Sequence, residues 1–341
     1  MKRFVVGLLT LLLMSAHAAV GERASGQARP QQQRAADDEE VVRVSTALVT
    51  VPVSVLDRQG RFVPGLRKED FRVFEDGVEQ EVAYFESAER PFTVALVVDT
   101  SDSVVEHLEE IKRAALAFLE ELRPEDRVML VAFDNGVRLV TDPTTDRAAV
   151  RAAVGRMKTG AGTSLYDAVA LTLGERLSRE RGRKAVVLLT DGVDNASRAA
   201  TYAGTLEAAE EAEALFYPVQ YDTFGDLVVG GLGASFQGVL TTNGTSPATG
   251  ERESLRQSYD RANRYLRLLA SKTGGDFYYA GSTKNLAQTF ATVARRLREQ
   301  YSLGYYPKRA AAEAPPKHHA LAVRVGVRGL AVRTRRGYVG R

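Results

Sequence analysis

The sequence contains no cysteine and no tryptophan, and only four histidines among 341 residues. Without cysteine there is no disulfide, no zinc–thiolate or iron–sulfur centre and no thiol nucleophile, so the core alone must hold the fold. His17 lies in the N-terminal apolar segment, and His318 and His319 lie in what reads as a polar connection. That leaves His107 in the main body, too few for a multi-histidine metal site or a histidine-based triad. An excess of one charge is missing too. The formal +3 becomes +1 when Lys2 and Arg3 are set aside (3 − 2), which argues little for a nucleic-acid or acidic-membrane partner, and no nucleic acid is expected. The Arg-rich end, Arg324 to Arg341, is the local exception.

Long apolar runs are scarce. The one at the start, Phe4 to Met14, follows Lys2 and Arg3 and precedes Ala16-His17-Ala18. This is the shape of a secretory signal peptide over residues 1–18, too short to span a bilayer. It predicts an exported protein (periplasmic, envelope-associated or secreted) with no membrane span after cleavage. Residues 19–40, rich in Gln, Ala and charge, read as a flexible linker.

What is present is a core-forming composition, 44% apolar and 26% charged. Over 41–90 Val49, Val51, Val53 and Val55 alternate with smaller or polar residues, the period of a strand. Pro52 suggests an edge or a bulge there, and "DRQG" (57–60) and "EDG" (75–77) read as turns. From Pro91 apolar strands alternate with amphipathic helices. "FTVALVVD" is continuously apolar, as a strand covered on both faces should be. Helices are expected over 146–157, 164–180, 202–214 and 260–271, with a last one marked by Leu286, Phe290, Val293 and Leu297. The alternation predicts an α/β fold, a doubly wound, mostly parallel six-stranded sheet with helices on both faces, over residues 91–300. Residues 223–258, rich in Gly, Thr and Ser, read as an insertion bordering the ligand face. Residues 301–341 return to strand alternation. A lone strand pair is marginal, so this C-terminal segment is expected to pair with 41–90 as a small β domain built from both ends.

Ligands of open parallel sheets bind beyond the carboxyl ends of the strands. There "ALVVDTSDS" places Asp99, Ser101 and Ser103, "VVLLTDG" places Asp191, and the Gly-rich "GAGTS" places Thr163 before a helix. Two carboxylates and three hydroxyls, with no nitrogen or sulfur, suit a hard cation: Mg²⁺, or Mn²⁺ in its place. Alone, Asp99-x-Ser101-x-Ser103 could cap the following helix. With Thr163 and Asp191 beside it, the metal reading is the stronger. Asp167 is expected to cap or to stand behind the ligands, Asp194 to be a solvated loop acid and His107 a helix-surface residue.

This set resembles the metal-ion-dependent adhesion site of the von Willebrand factor A domain, whose signature is Asp-x-Ser-x-Ser after the first strand, a Thr in a Gly-rich loop and an Asp after a later strand. The resemblance covers about residues 91–300 and implies that Asp99, Ser101, Ser103, Thr163 and Asp191 hold one divalent cation. The residue between the serines, usually Gly in the family, is Asp102. The flanks "GLRKEDFRVFEDGVEQEVAYF" and "YSLGYYP…VRTRRGYVG" resemble the von Willebrand factor A-related proteins of acidobacteria.

The resemblance implies a non-enzymatic, metal-dependent adhesion or protein-binding module whose partner contributes a carboxylate to the cation. An alternative is a structural or assembly protein of the cell envelope in which the metal only stabilises the loop. A metal-dependent hydrolase is the third reading. It is the weakest, because no general base stands beside Ser101, and neither G-x-S-x-G nor a P-loop is present.

Overall fold

The computed structural model describes residues 48–87, 90–221, 249–281, 285–308 and 317–340. The expected signal peptide, the linker and residues 223–248 of the expected insertion lie outside these. Among the described residues no helix is long and apolar enough to cross a membrane.

Strands β1 (Val49–Leu56), β2 (Phe71–Glu75), β3 (Val78–Gln80) and β4 (Val82–Glu86) precede the α/β body. The body runs β5 (Phe92–Asp99), α1 (Leu108–Glu120), β6 (Arg127–Phe133), β7 (Val137–Thr144), α2 (Arg147–Gly155), α3 (Leu165–Leu171), β8 (Arg183–Thr190), α4 (Tyr202–Glu211), β9 (Ala214–Tyr221), α5 (Thr249–Thr273), β10 (Tyr278–Ala280) and α6 (Leu286–Arg298). Then come β11 (Tyr301–Tyr305), β12 (Lys317–Val325), β13 (Ala331–Thr334) and β14 (Gly337–Gly340).

The central sheet has the order β10-β9-β8-β5-β6-β7. All its pairs are parallel except β6–β7, a hairpin that turns through residues 134–136. All eight residues of β5 are buried. The side-chain alternation of a strand sends Val94, Leu96 and Val98 into one core, with α1, α2 and α6. It sends Ala95 and Val97 into the other, with α3, α4 and α5. The helices that cover the faces start where local chemistry allows. Asp146 caps α2 by accepting from Ala149 N at 3.0 Å, and Thr201 caps α4 by accepting from Gly204 N at 3.1 Å.

Three expectations are corrected. The helix expected over 164–180 is α only to Leu171. It then widens into a π-type turn, Thr172–Arg176, where the Thr172 hydroxyl bonds back to Ala168 O at 2.7 Å. The insertion expected over 223–258 ends earlier, because α5 begins at Thr249; the residues "TGERESLRQS" carry almost no apolar stripe, so their helix left no periodic signal. And β1 is no edge strand, since β11 and β13 pair on its two sides. Pro52 is tolerated because the β13 ladder covers only Val53–Leu56 and begins one residue beyond it.

Both chain ends meet in two further four-stranded sheets, β13-β1-β11-β4 and β14-β12-β2-β3. Between them lies a third core, with Val51, Val73, Tyr301, Leu303 and Tyr305 at its centre. The sheets sit on the amino ends of the central strands. There the buried Arg335 donates to Thr50 O at 2.6 Å and to Glu210 O at 3.4 Å, and Arg183 at the start of β8 donates to Leu297 O. From Val42 onward the chain forms one compact unit. The carboxyl ends of the central strands are left uncovered by this attachment.

Leu303 stands in the middle of β11, fully buried, with Val51 and Phe85 as its cross-strand partners. Leu303→Ala is expected to cost about 2–5 kcal/mol in urea unfolding followed by circular dichroism.

Candidate metal centre

In the sheet order the chain steps from β5 to β6 on one side and reaches β8 on the other, so the winding reverses between β5 and β8. A crevice opens at such a point, outside the carboxyl ends of the strands. Asp99 ends β5, and Asp191 follows the last residue of β8. Neighbouring registers bring Asp99 beside Thr190, whose hydroxyl donates to Asp99 Oδ2 at 2.6 Å. Asp99 is 0% exposed and Asp191 3%.

The loop after β5 is drawn over its own carboxylate. Ser101 N donates to Asp99 Oδ1 at 2.9 Å, and the hydroxyls of Ser101 and Ser103 lie 2.9 Å apart. A 3-10 turn from Asp102 to His107 then leads into α1. Asp102 needs no unusual backbone, because Asp76 is the only described residue other than Gly with positive φ. The Gly that the family usually carries here is therefore dispensable in this loop.

Thr163 arrives from a third loop. Gly160 N donates to Thr100 O at 2.8 Å, which ties that loop to the first. A side chain at Gly160 would collide with the Asp134 carboxylate, so only Gly fits. On the other side Thr163 N donates to Asn195 Oδ1 at 2.8 Å, and Thr163 O accepts from Asn195 N and Ala196 N. Gly192 makes the turn after Asp191 at φ +90, and its Cα faces α5, where a Cβ would lie 2.9 Å from Leu266 Cδ1. The structure thus gathers the loops bearing Asp99, Ser101, Ser103, Thr163 and Asp191 at one end of the sheet.

The electrostatics match the donor chemistry. Burial, and then the charge of Asp191, push the Asp99 carboxyl up to about 7, against the smaller opposing effect of its bonds from Ser101 and Thr190. None of the leading influences on Asp99 is a cationic side chain. Two dehydrated carboxylates in each other's field, ringed by hydroxyls, are stabilised by a small hard cation. The chemistry of the residues present therefore fits a divalent cation.

Several participants carried no signal in the sequence. Thr190 orients Asp99 but reads as one more residue of an apolar strand. Asn195 clamps the Thr163 loop. Tyr221, at the end of β9, is fully buried beside the Asp191 backbone. Burial, then the charges of Asp99 and Asp191, raise its pKa. Gln220 beside it donates to Asp191 O at 2.8 Å and accepts from Asn263 Nδ2 of α5 at 2.7 Å. Asp167 holds a loop and does not cap a helix, accepting from the backbone N–H groups of Arg198, Ala199 and Ala200. Asp194 is not a solvated acid. It is half-buried, accepts from Tyr166 N and Ser197 Oγ, and has its pKa raised chiefly by desolvation. His107, partly exposed, lies against Glu110 at 3.4 Å.

Residues 94–193 match the family model of the von Willebrand factor type A domain. An uncharacterized protein of Synechocystis sp. is 33% identical over 106 residues, 30% of this chain and 25% of that protein. A UPF0353 protein of Mycolicibacterium vanbaalenii is 24% identical over 219 residues, 60% of each. The chain thus spans only 25% and 60% of these relatives' own lengths. Among solved structures, von Willebrand factor type A from Catenulispora acidiphila superposes with a TM-score of 0.47 at 13% identity, over 84% of this chain and 72% of that one. Proximal thread matrix protein 1 from the mussel byssus, with a zinc-occupied MIDAS motif, gives 0.43 at 14% identity, over 64% and 48%. Superpositions this loose carry no argument about metal or partner, which rests on the residues themselves.

A carboxyl at about 7 in the fold and at 3.8 in a model peptide binds its proton more tightly when folded. In metal-free protein its contribution to stability is therefore fully present below the unfolded value and is lost as pH rises to about 7. Metal-free wild-type protein should melt at lower temperature at pH 7.5 than at pH 5, and Asp99→Asn should flatten that slope. An unchanged slope in Asp99→Asn, measured calorimetrically in chelator, would show that Asp99 is not the group responsible.

Proposed function

We propose, on the premise that this chain carries a von Willebrand factor type A domain, that it is a non-enzymatic, metal-dependent protein-binding module. Such domains are in general metal-dependent protein-interaction modules. The observation that carries the reading is the buried pair Asp99 and Asp191, without a cationic side chain among the leading influences on Asp99, at the open end of the sheet. Asp99, Ser101, Ser103, Thr163 and Asp191 would hold one Mg²⁺ or Mn²⁺. With only two anionic ligands from the protein, the bound cation supplies an electrophilic position for an oxygen ligand, best a carboxylate, of a protein partner.

The protein's own residues set that position. Thr190 and the Ser101 N–H fix the two oxygens of Asp99, the bonds to Asn195 and Ala196 fix Thr163, and Gln220 holds the backbone of Asp191. The flanking sheets attach at the opposite end and so do not themselves cover the carboxyl-terminal face of the α/β body. The terminal apolar segment supports export, and with it adhesion or envelope assembly as the setting.

Calorimetric titration with Mg²⁺ and Mn²⁺ tests this. Asp99→Ala should abolish binding, and Thr190→Val, which removes only the hydroxyl that orients Asp99, should weaken it by about 10–100-fold. Wild-type affinity in Asp99→Ala would overturn the proposal. A chelator that lowers the melting temperature while leaving capture of an acidic protein partner unchanged would favour the purely structural role.

A further inference from the structure

Apart from that centre, the described residues hold one group of three His or carboxylate side chains able to share an ion: Glu75, Asp76 and His319. One ligand atom of each lies within 4.8 Å of the others. The sequence placed His319 in a polar connection. It is instead in β12 and only 2% exposed, because the β12–β2 ladder carries it over the β2–β3 turn. Glu75 is the last residue of β2. Asp76 and Gly77 make the turn, both with left-handed φ, +49 and +83. An Asp-Gly pair is what such a hairpin turn requires.

The side chains converge on one ring nitrogen. His319 Nδ1 lies 2.8 Å from Asp76 Oδ2 and 3.6 Å from Glu75 Oε1. The remaining carboxylate oxygens are committed elsewhere. Glu75 Oε2 accepts from the hydroxyls of Tyr305 at 2.5 Å and Tyr338 at 2.8 Å. Asp76 Oδ1 accepts from Ala320 N at 2.8 Å. Four strands (β2, β11, β12 and β14) thus hold two carboxylates so that one oxygen of each faces the imidazole.

We infer that Glu75, Asp76 and His319 form a second cation site, which takes a divalent transition ion of the Zn²⁺ type. A tetrahedral ion with bonds of about 2.0–2.1 Å has ligand–ligand edges of about 3.3 Å, and the two distances at Nδ1, 2.8 and 3.6 Å, bracket that edge. One imidazole nitrogen and two carboxylate oxygens suit Zn²⁺ and disfavour Mg²⁺. The bonds from Tyr305, Tyr338 and Ala320 are the outer support that orients ligating carboxylates. The Asp76 side chain is 41% exposed, so the ion has an entry path and a fourth position for water. On binding, the ion replaces the proton that Nδ1 shares with Asp76, and that proton leaves to solvent. The site would clip together residues 243 apart in sequence, in a chain that has no disulfide to do so. Without an ion the same atoms make a hydrogen-bonded cluster, and that reading predicts no response to zinc.

The site is independent of the Asp99 centre, so the test starts from Asp99→Ala protein. Titration with Zn²⁺ should show about one equivalent bound with proton release, and a melting temperature raised by several degrees. Mg²⁺ should do neither. Asp76→Asn added to Asp99→Ala keeps a residue suited to the left-handed turn but removes an anionic ligand; zinc affinity should fall at least tenfold and the thermal shift should vanish. In wild-type protein saturated with Mg²⁺, Zn²⁺ should displace the His319 ring-nitrogen resonances, a readout that needs no variant. Absence of zinc uptake by Asp99→Ala, unchanged uptake after Asp76→Asn, or unmoved His319 resonances would each overturn the inference.

Discussion

Two carboxylates are buried in each other's field at the carboxyl end of a parallel sheet, and much of the surrounding structure is arranged to tolerate this. Taking such groups out of water without a counter-charge is unfavourable by several kcal/mol per ion. The protein meets that cost in part with hydrogen bonds. Thr190 and the Ser101 backbone each bond one of the two oxygens of Asp99, and Gly192 and Gln220 hold the Asp191 turn against α5. The remaining deficit is positive charge. A cation is the natural complement, and the hydroxyls of Ser101, Ser103 and Thr163 are brought up by loops that are themselves bonded to one another.

The flanking sheets leave that end free. Strand order places the winding reversal between β5 and β8, so the crevice opens there. The sheets built from the chain's two ends are fastened at the other end through Arg335, and Arg183 there ties the start of β8 to the carbonyls of Arg90 and Leu297. These arginines are themselves buried, with pKa values lowered chiefly by desolvation, and they are held by backbone carbonyls and by stacking on Tyr338 and Phe92. Binding surface and anchoring surface are thereby separated by the length of the central strands. The anchoring half has its own polar cluster, around His319, where two tyrosines and an Asp-Gly turn position the carboxylates.

Much of this was legible in the residues. Continuous apolar strands alternating with amphipathic helices pointed to a doubly wound sheet, which buries "FTVALVVD" on both faces. Val49 to Val55 and Leu321 to Val325 needed partners, and pairing the two ends supplied them. The five candidate oxygen-bearing residues stood out in the sequence because strand ends, a Gly-rich turn and Asp-x-Ser-x-Ser are local patterns. Period and turn chemistry act over a few residues, and a sequence displays them directly.

What the tertiary structure decided is which groups become buried neighbours. Thr190, Tyr221, Asn195 and Gln220 have no local mark, because their roles arise from the lateral packing of strands far apart in sequence. Asp194 and His319 looked solvated in the sequence, since burial depends on what covers a residue and not on its own polarity. The start of α5 went unseen for the converse reason: its first residues form a helix without an apolar stripe to announce it. Sequence determined the elements and the oxygen donors; register and packing determined their electrostatics.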